Sequence, residues 1–207
     1  TTKQGGLACY VVTDAERIES AVRAFGGEVL MVKDDVPSGS ERIALAHARY
    51  LMKDAPEFII NVQGDEPLLQ GSALNDLLNF HAGKNFDITT LVRPRERHES
   101  DWNNPNVVKA VIGEGQRCVY FSRASVPVQR EGATAQWFHH IGVYCFKAEA
   151  LQKFIKLPMG KLEDLEKLEQ LRALENGMSI GATETKLKLI GVDTPEDVKK
   201  VEEALGE

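Results

Sequence analysis

Apolar positions along the chain fall into short runs separated by amphipathic stretches, the alternation expected of a sheet covered by helices. Residues 7–12 and 28–32 read as strands, flanking a segment at 15–25 with helical spacing that ends at Gly26-Gly27, a fitting C-cap. A turn-rich stretch at 34–39 precedes a predicted helix over 40–52. The run Phe-Ile-Ile-Asn-Val at 58–62 is continuous and apolar, as in strands buried on both faces of a parallel sheet. Residues 72–81 again have helical spacing, and 87–92 are strand-like.

The character then changes. Residues 107–112 and 117–121 are β-rich and joined by Gly113-Glu114-Gly115, which predicts a hairpin, and 141–146 form a third β run. The Leu-, Glu- and Lys-rich segment 162–175, closed by Asn176-Gly177, is the most helix-prone part of the chain. Residues 180–190 supply one or two late strands. A terminal helix over 195–205 has Thr194 as N-cap, Pro195 at its first position and Asp197 completing a capping box. The expected architecture is a single α/β domain over 1–207, with a mixed, mostly parallel sheet and helices on both faces. A β-rich insertion at 93–146 would face a substrate or a partner subunit.

Composition narrows the function. With a net charge of -6 and no block of Lys and Arg, the chain lacks the basic face that nucleic acid requires. No stretch approaches the roughly 18 apolar residues of a membrane helix. Cys9, Cys118 and Cys145 lie far apart, without metal-ligand spacing, and read as buried free thiols.

In open α/β sheets ligands bind beyond the carboxyl ends of the strands, so residues following the apolar runs are the candidates. After the run at 58–62 come Gln63-Gly64-Asp65-Glu66-Pro67: an amide, a glycine that lets a ligand approach the backbone, and a carboxylate suited to Mg²⁺. A plain strand-ending turn would use the same residues. Asp193, in Gly191-Val192-Asp193-Thr194-Pro195, is left over once Thr194 and Asp197 have capped the helix. Together with Asp65 it would hold a metal against a nucleotide phosphate. Ser38 and Glu41 have capping-box spacing, while Ser38-Gly39-Ser40 at a helix start also suits a base or a phosphate oxygen. Arg123 closes a β run with a fork for a carboxylate. His139 and His140 are adjacent, so in a strand they point to opposite faces and cannot both serve one site. The acids of the 162–175 helix belong by default to a solvated face, although Glu163, Glu166, Glu169 and Gln170 share an azimuth.

Taken in order, these motifs resemble the CMP-Kdo synthetase family (3-deoxy-manno-octulosonate cytidylyltransferases). The resemblance rests on Val12-Thr13-Asp14, Ser38-Gly39-Ser40-Glu41-Arg42 and Asn61-Val62-Gln63-Gly64-Asp65-Glu66-Pro67 in the first half. It continues through Asn104-Pro105-Asn106-Val107-Val108-Lys109, Tyr120-Phe121-Ser122-Arg123 and His140-Ile141-Gly142-Val143-Tyr144. Leu168-Glu169-Gln170-Leu171-Arg172 and Gly191-Val192-Asp193-Thr194-Pro195-Glu196-Asp197 complete it.

The resemblance implies a Rossmann-like nucleotidyltransferase fold and a cytoplasmic homodimer in a lipopolysaccharide-making cell. The implied reaction is transfer of CMP from CTP to 3-deoxy-manno-octulosonate (Kdo). By position it implies Asp65 and Asp193 as catalytic ligands of Mg²⁺, and Ser38, Gly39, Ser40, Gln63 and Gly64 beside the cytidine nucleotide. Arg123, His140, Tyr144, Glu169 and Gln170 would lie toward the sugar acid. The chain departs from the family with Asp164 where a His is usual, with Ser at 40 where Thr is common, and with a short stretch between Arg130 and Trp137. Nothing before residue 7 resembles the family's opening strand and Arg-, Ser-, Gly- and Lys-rich triphosphate loop, so poor turnover by the chain as written is expected. Rival readings are a cytidylyltransferase for sialic acid or 8-amino-Kdo, a non-catalytic nucleotide binder, and a scaffolding domain.

Overall fold

The apolar runs fold into strands covered by helices in a computed structural model that describes residues 6–53, 56–96, 98, 100–128, 130, 136–187, 189–192 and 194–206. Strands β1 (Val11–Thr13) and β2 (Val29–Met31) pair in parallel, and helix α1 (Glu16–Ala24) connects them. Acids in the first turn of α1 and Arg23 in its last complement the helix dipole. The return into β2 requires glycine. Gly26 has φ +74°, and a Cβ on Gly27 would stand 2.5 Å from the Val22 side chain. β1 begins later than predicted, because only Val11 to Thr13 have a partner in β2; Leu7 instead packs against the cluster that includes Leu74 and Leu77.

The main sheet is organised around β7 (Gln136–Lys147), twice as long as the predicted run because three strands share it. One edge of β7 pairs with β4 (Ile88–Glu96), and the other is divided between β3 (Phe58–Val62) and β5 (Lys109–Ile112). Beyond β5 lies its hairpin partner β6 (Cys118–Ser122), and beyond β4 lies β8 (Ile180–Glu184) in parallel. β3, β4, β5 and β8 therefore run one way, with β6 and β7 opposed. The sheet is mixed, as expected, but its pairings are not mostly parallel. β7 runs against β3, β4 and β5, and β6 runs against β5; among the described strands of this sheet only β4 and β8 pair in parallel, because the strands of the 93–146 region are built into it. β3 departs from the expectation of a doubly buried parallel strand: it is antiparallel to β7, and Phe58, Ile59 and Ile60 are only half-buried.

Alternation along β7 divides the core. Tyr144 and Phe146 join one cluster with Ala44, Leu151, Phe154 and Leu171; Ile141, Val143 and Cys145 join another with Ala73, Leu74 and Leu77. Helices α2 (Gly39–Ala46), α4 (Ala148–Phe154) and α6 (Gln170–Glu175) thus cover one face, and α3 (Gly71–Ala82) covers the other. α4 has no counterpart in the sequence reading, and the helix predicted over 40–52 becomes a π-helical turn at His47–Leu51. The predicted helix over 162–175 is two helices, α5 (Lys161–Glu166) and α6. The terminal helix α7 (Pro195–Leu205) starts as predicted, with the Asp197 carboxylate accepting from both the Thr194 N–H and its hydroxyl. Cys118 and Cys145 are buried free thiols whose pKa values burial pushes up to about 12. Among the described residues no helix is long and apolar enough to cross a membrane.

Candidate active site

Beyond the end of β3 the chain turns through Gln63, Gly64 and Asp65. The backbone carbonyl of Asp65 accepts a 2.9 Å hydrogen bond from the Val192 N–H, so two motifs far apart in sequence meet here. Asp193 itself lies outside the described residues. Asp65 Oδ1 is enclosed and has no hydrogen-bond partner among the described residues, an arrangement that costs free energy unless a ligand supplies the partner. Gln63 lies against Gly142 of β7, where a Cβ would stand 3.4 Å from the Gln63 amide. A Cβ on Gly39 or Gly64 would meet nothing within 4 Å.

The start of α2 has a clear division of labour. Ser38 is the N-cap, its hydroxyl accepting from the Glu41 N–H at 3.2 Å. Ser40 points inward, 3% exposed, and its hydroxyl donates to Glu169 Oε2 at 2.9 Å while accepting from Asn61 Nδ2 at 3.3 Å.

Of the acids in the 162–175 segment, Asp164 and Glu175 are exposed, as expected of a solvated face, whereas Glu163, Glu166 and Glu169 turn inward, against that expectation. Glu163 pairs with buried Arg172, Glu166 accepts from the Ser122 hydroxyl and the Arg123 N–H, and Glu169 holds Ser40. The helix breaks between α5 and α6 at Lys167, which adopts a left-handed φ of 53°. Arg123 explains how the break is held. Its Nε donates to the Glu166 carbonyl at 2.7 Å and its Nη2 reaches the Lys167 carbonyl, while Nη1 bonds to the Pro105 carbonyl. The guanidinium that was expected to meet a sugar acid is thus occupied in fastening the turn that leads to Glu169. Lys109, fully buried, ties the carbonyls of Asn104 and Arg123 together.

Glu169 Oε1 and Gln170 Nε2 are enclosed without partners among the described residues. Tyr144, on β7, keeps its phenol protonated because burial, then the Glu169 charge, raises its pKa well above the ordinary value. The His140 ring lies tilted at 5.5 Å from Tyr144 and edge-on at 4.9 Å from Phe121, and burial drives its pKa down to about 3. His139 lies instead beside Trp137, in keeping with the opposite faces expected of adjacent strand residues. The structure therefore brings Ser40, Glu169, Tyr144 and His140 together and commits Ser38 and Arg123 to holding the chain. Asn61 and Thr90, which contact Ser40 and His140, were given no role by the sequence, although each is a polar residue inside an apolar strand. Among the described residues no group of three or more His, Cys, Asp or Glu could by itself enclose a metal.

Comparisons with known proteins find relatives along most of the chain. The family model described as cytidylyltransferase matches residues 2–180. A 3-deoxy-manno-octulosonate cytidylyltransferase of Syntrophobacter fumaroxidans is 45% identical over 194 residues, 92% of this chain and 77% of the relative. An 8-amino-3,8-dideoxy-manno-octulosonate cytidylyltransferase of Shewanella halifaxensis is 42% identical, covering 95% of this chain and 80% of the relative. Among solved structures, a CMP:2-keto-3-deoxy-manno-octonic acid synthetase complexed with CTP superposes with a TM-score of 0.88 at 30% identity, over 99% of this chain and 85% of that one. With a Rossmann-like nucleotidyltransferase fold and these matches along nearly its whole length, the chain belongs to the cytidylyltransferase family of nucleotidyltransferases.

Proposed function

We propose that this enzyme transfers CMP from CTP to Kdo, releasing pyrophosphate, as a step of lipopolysaccharide synthesis. The observation that supports the reading is the hydrogen bond from Ser40 to Glu169, two residues whose expected roles are toward the nucleotide and toward the sugar acid. In the reaction an anomeric hydroxyl oxygen forms a bond to the α-phosphorus, the bond from that phosphorus to the bridging oxygen breaks, and the hydroxyl proton leaves to solvent or base. Such a transfer depends on positioning and charge neutralisation more than on covalent help from the protein.

The chain's own groups supply the positioning. Asp65 and Asp193 are the residues that would hold Mg²⁺, and the enclosed, unpartnered Asp65 Oδ1 is the hard oxygen donor such an ion takes. When bound, the ion would neutralise phosphate charge. Uncharged His140, the Tyr144 phenol and Glu169 are hydrogen-bonding groups suited to hydroxyls, which fits a polyhydroxy acid. A homodimer in the cytoplasm completes the reading; the exposed Val119 and Val128 of the 93–146 region favour a partner there.

Similarity to the Shewanella enzyme supports a second acceptor, 8-amino-Kdo. The test is pyrophosphate release from CTP and Mg²⁺ by the product of the complete gene, with Kdo, 8-amino-Kdo, a sialic acid or no acceptor. Release with Kdo alone is expected. Release with 8-amino-Kdo alone would replace the acceptor, and none with any acceptor from folded protein would sink the reading.

A further inference from the structure

The pairing of β4 with β7 contains an irregularity beside the site. Thr90 is in register with Tyr144 but Leu91 with Ile141, so Gly142 and Val143 are unmatched on β7. In a regular strand four residues span about 13 Å. Here the rings of His140 and Tyr144 are 5.5 Å apart, because the bulge folds the strand back between them.

Thr90 fills the bulge. Its hydroxyl oxygen lies 3.0 Å from the Ile141 carbonyl, 2.8 Å from the Val143 carbonyl and 3.1 Å from His140 Nε2. A hydroxyl has one proton to give, and carbonyls only accept. Were that proton given to Nε2, the hydroxyl's lone pairs would face two carbonyl oxygens at contact distance. The proton therefore goes to a carbonyl, and the Thr90 oxygen accepts from Nε2–H. The remaining ring nitrogen, Nδ1, then carries a lone pair.

We propose that Thr90 is a positioning residue, which holds His140 in the Nε2–H tautomer so that Nδ1 accepts a hydrogen bond from a hydroxyl of the sugar acid. The assignment of that hydroxyl rests on the function proposed above; the tautomer does not. His140 is then a hydroxyl reader and not a cation for the sugar carboxylate. The role also explains why a threonine, 0% exposed, interrupts the apolar face of β4 at this position.

Nitrogen NMR of protein labelled with ¹⁵N-histidine reads both parts, with the His140 signals identified by their loss in His140→Gln. We expect a protonated Nε2 and an unprotonated Nδ1 in the free protein at neutral pH, and an upfield shift of Nδ1 on adding Kdo with CTP present. Thr90→Val should give a mixture of tautomers and weaken Kdo binding about tenfold, a loss of roughly 1.4 kcal/mol, while Thr90→Ser should restore both. A protonated Nδ1 in the wild type overturns the inference. So does an Nδ1 signal that stays still at saturating Kdo. If Thr90→Val does not fold, these two wild-type spectra decide the matter. Failure of Kdo to bind at all, measured by calorimetry, would remove the functional reading and the hydroxyl assignment with it, whereas a protonated Nδ1 with Kdo bound removes this inference alone.

Discussion

Ser40 donates its hydroxyl proton to Glu169 across 129 positions of sequence, so one short hydrogen bond joins the first turn of α2 to the turn that opens α6. The other Glu169 oxygen is enclosed without a partner among the described residues. Ser40→Ala would leave the carboxylate less satisfied still, at a cost of about 1–3 kcal/mol. A lowered denaturant midpoint and a raised KM for the acceptor sugar are expected. Ser40→Thr keeps the hydroxyl and should match the wild type in both. Equal midpoints for the Ala variant and the wild type would show that the bond contributes nothing.

Asp65 makes its one described hydrogen bond through its backbone, to Val192, which a side-chain change leaves intact. Asp65→Asn should therefore leave the melting temperature unchanged. It should slow metal-dependent pyrophosphate release by about a hundredfold or more, the equivalent of ~3 kcal/mol in the barrier. The release should also stop on adding EDTA and return with Mg²⁺. A variant as active as the wild type would remove Asp65 from the reaction.

Periodicity made the sheet and most helices legible, because the strand runs are bounded by turn residues and helices such as α2 and α7 open on a capping residue, Ser38 and Thr194. The site was legible in part. Asp65 and Ser40 follow strand ends or open a helix, where side-chain chemistry can be read from position. What escaped was long-range pairing. Glu166 looks like any solvated acid until Ser122 at the end of β6 and Arg123 just after it meet it, and the helix break at Lys167 depends on Arg123 holding two freed carbonyls. A bulge leaves no mark on a period-2 pattern, so the approach of His140 to Tyr144 was invisible. Local pattern reports what one element wants, and these contacts are set by what another element brings.

Glu163 and Arg172, 7% and 6% exposed, form a buried bidentate pair at 2.6 and 2.8 Å. Burial works against the charged carboxylate, but the Arg172 hydrogen bonds and the Gly160 N–H outweigh it and hold the Glu163 pKa below its ordinary value. Arg172 also lies 5.4 Å over the Phe154 ring. Removing one partner strands the other charge, so Arg172→Ala should destabilise the fold by about 3–5 kcal/mol. Arg172→Met with Glu163→Leu should recover most of the loss. A single variant as stable as the wild type, by urea unfolding, would contradict the pairing.

Three histidines set the response to acid. Burial, helped by Lys147, lowers the pKa of His81 to about 4; burial and Arg95 do the same for His139; burial and His139 take His140 to about 3. Each is neutral in the fold and has an ordinary pKa near 6.5 once unfolded. Between those values the unfolded chain binds protons that the folded chain refuses, so stability is complete above about pH 6.5 and falls as pH drops toward 4. Three such groups give a limiting slope of about 4 kcal/mol per pH unit. The depressed carboxyls of Glu163 and Asp87 act in the same direction but only below the ordinary carboxylate range. Urea midpoints should therefore decline steeply between pH 6 and 5, before any carboxylate titrates. His139→Phe, which keeps an aromatic ring beside Trp137, should flatten that decline by about a third. A midpoint constant from pH 7 to 5 would mean that the histidines are charged in the fold, and their burial would then need another explanation.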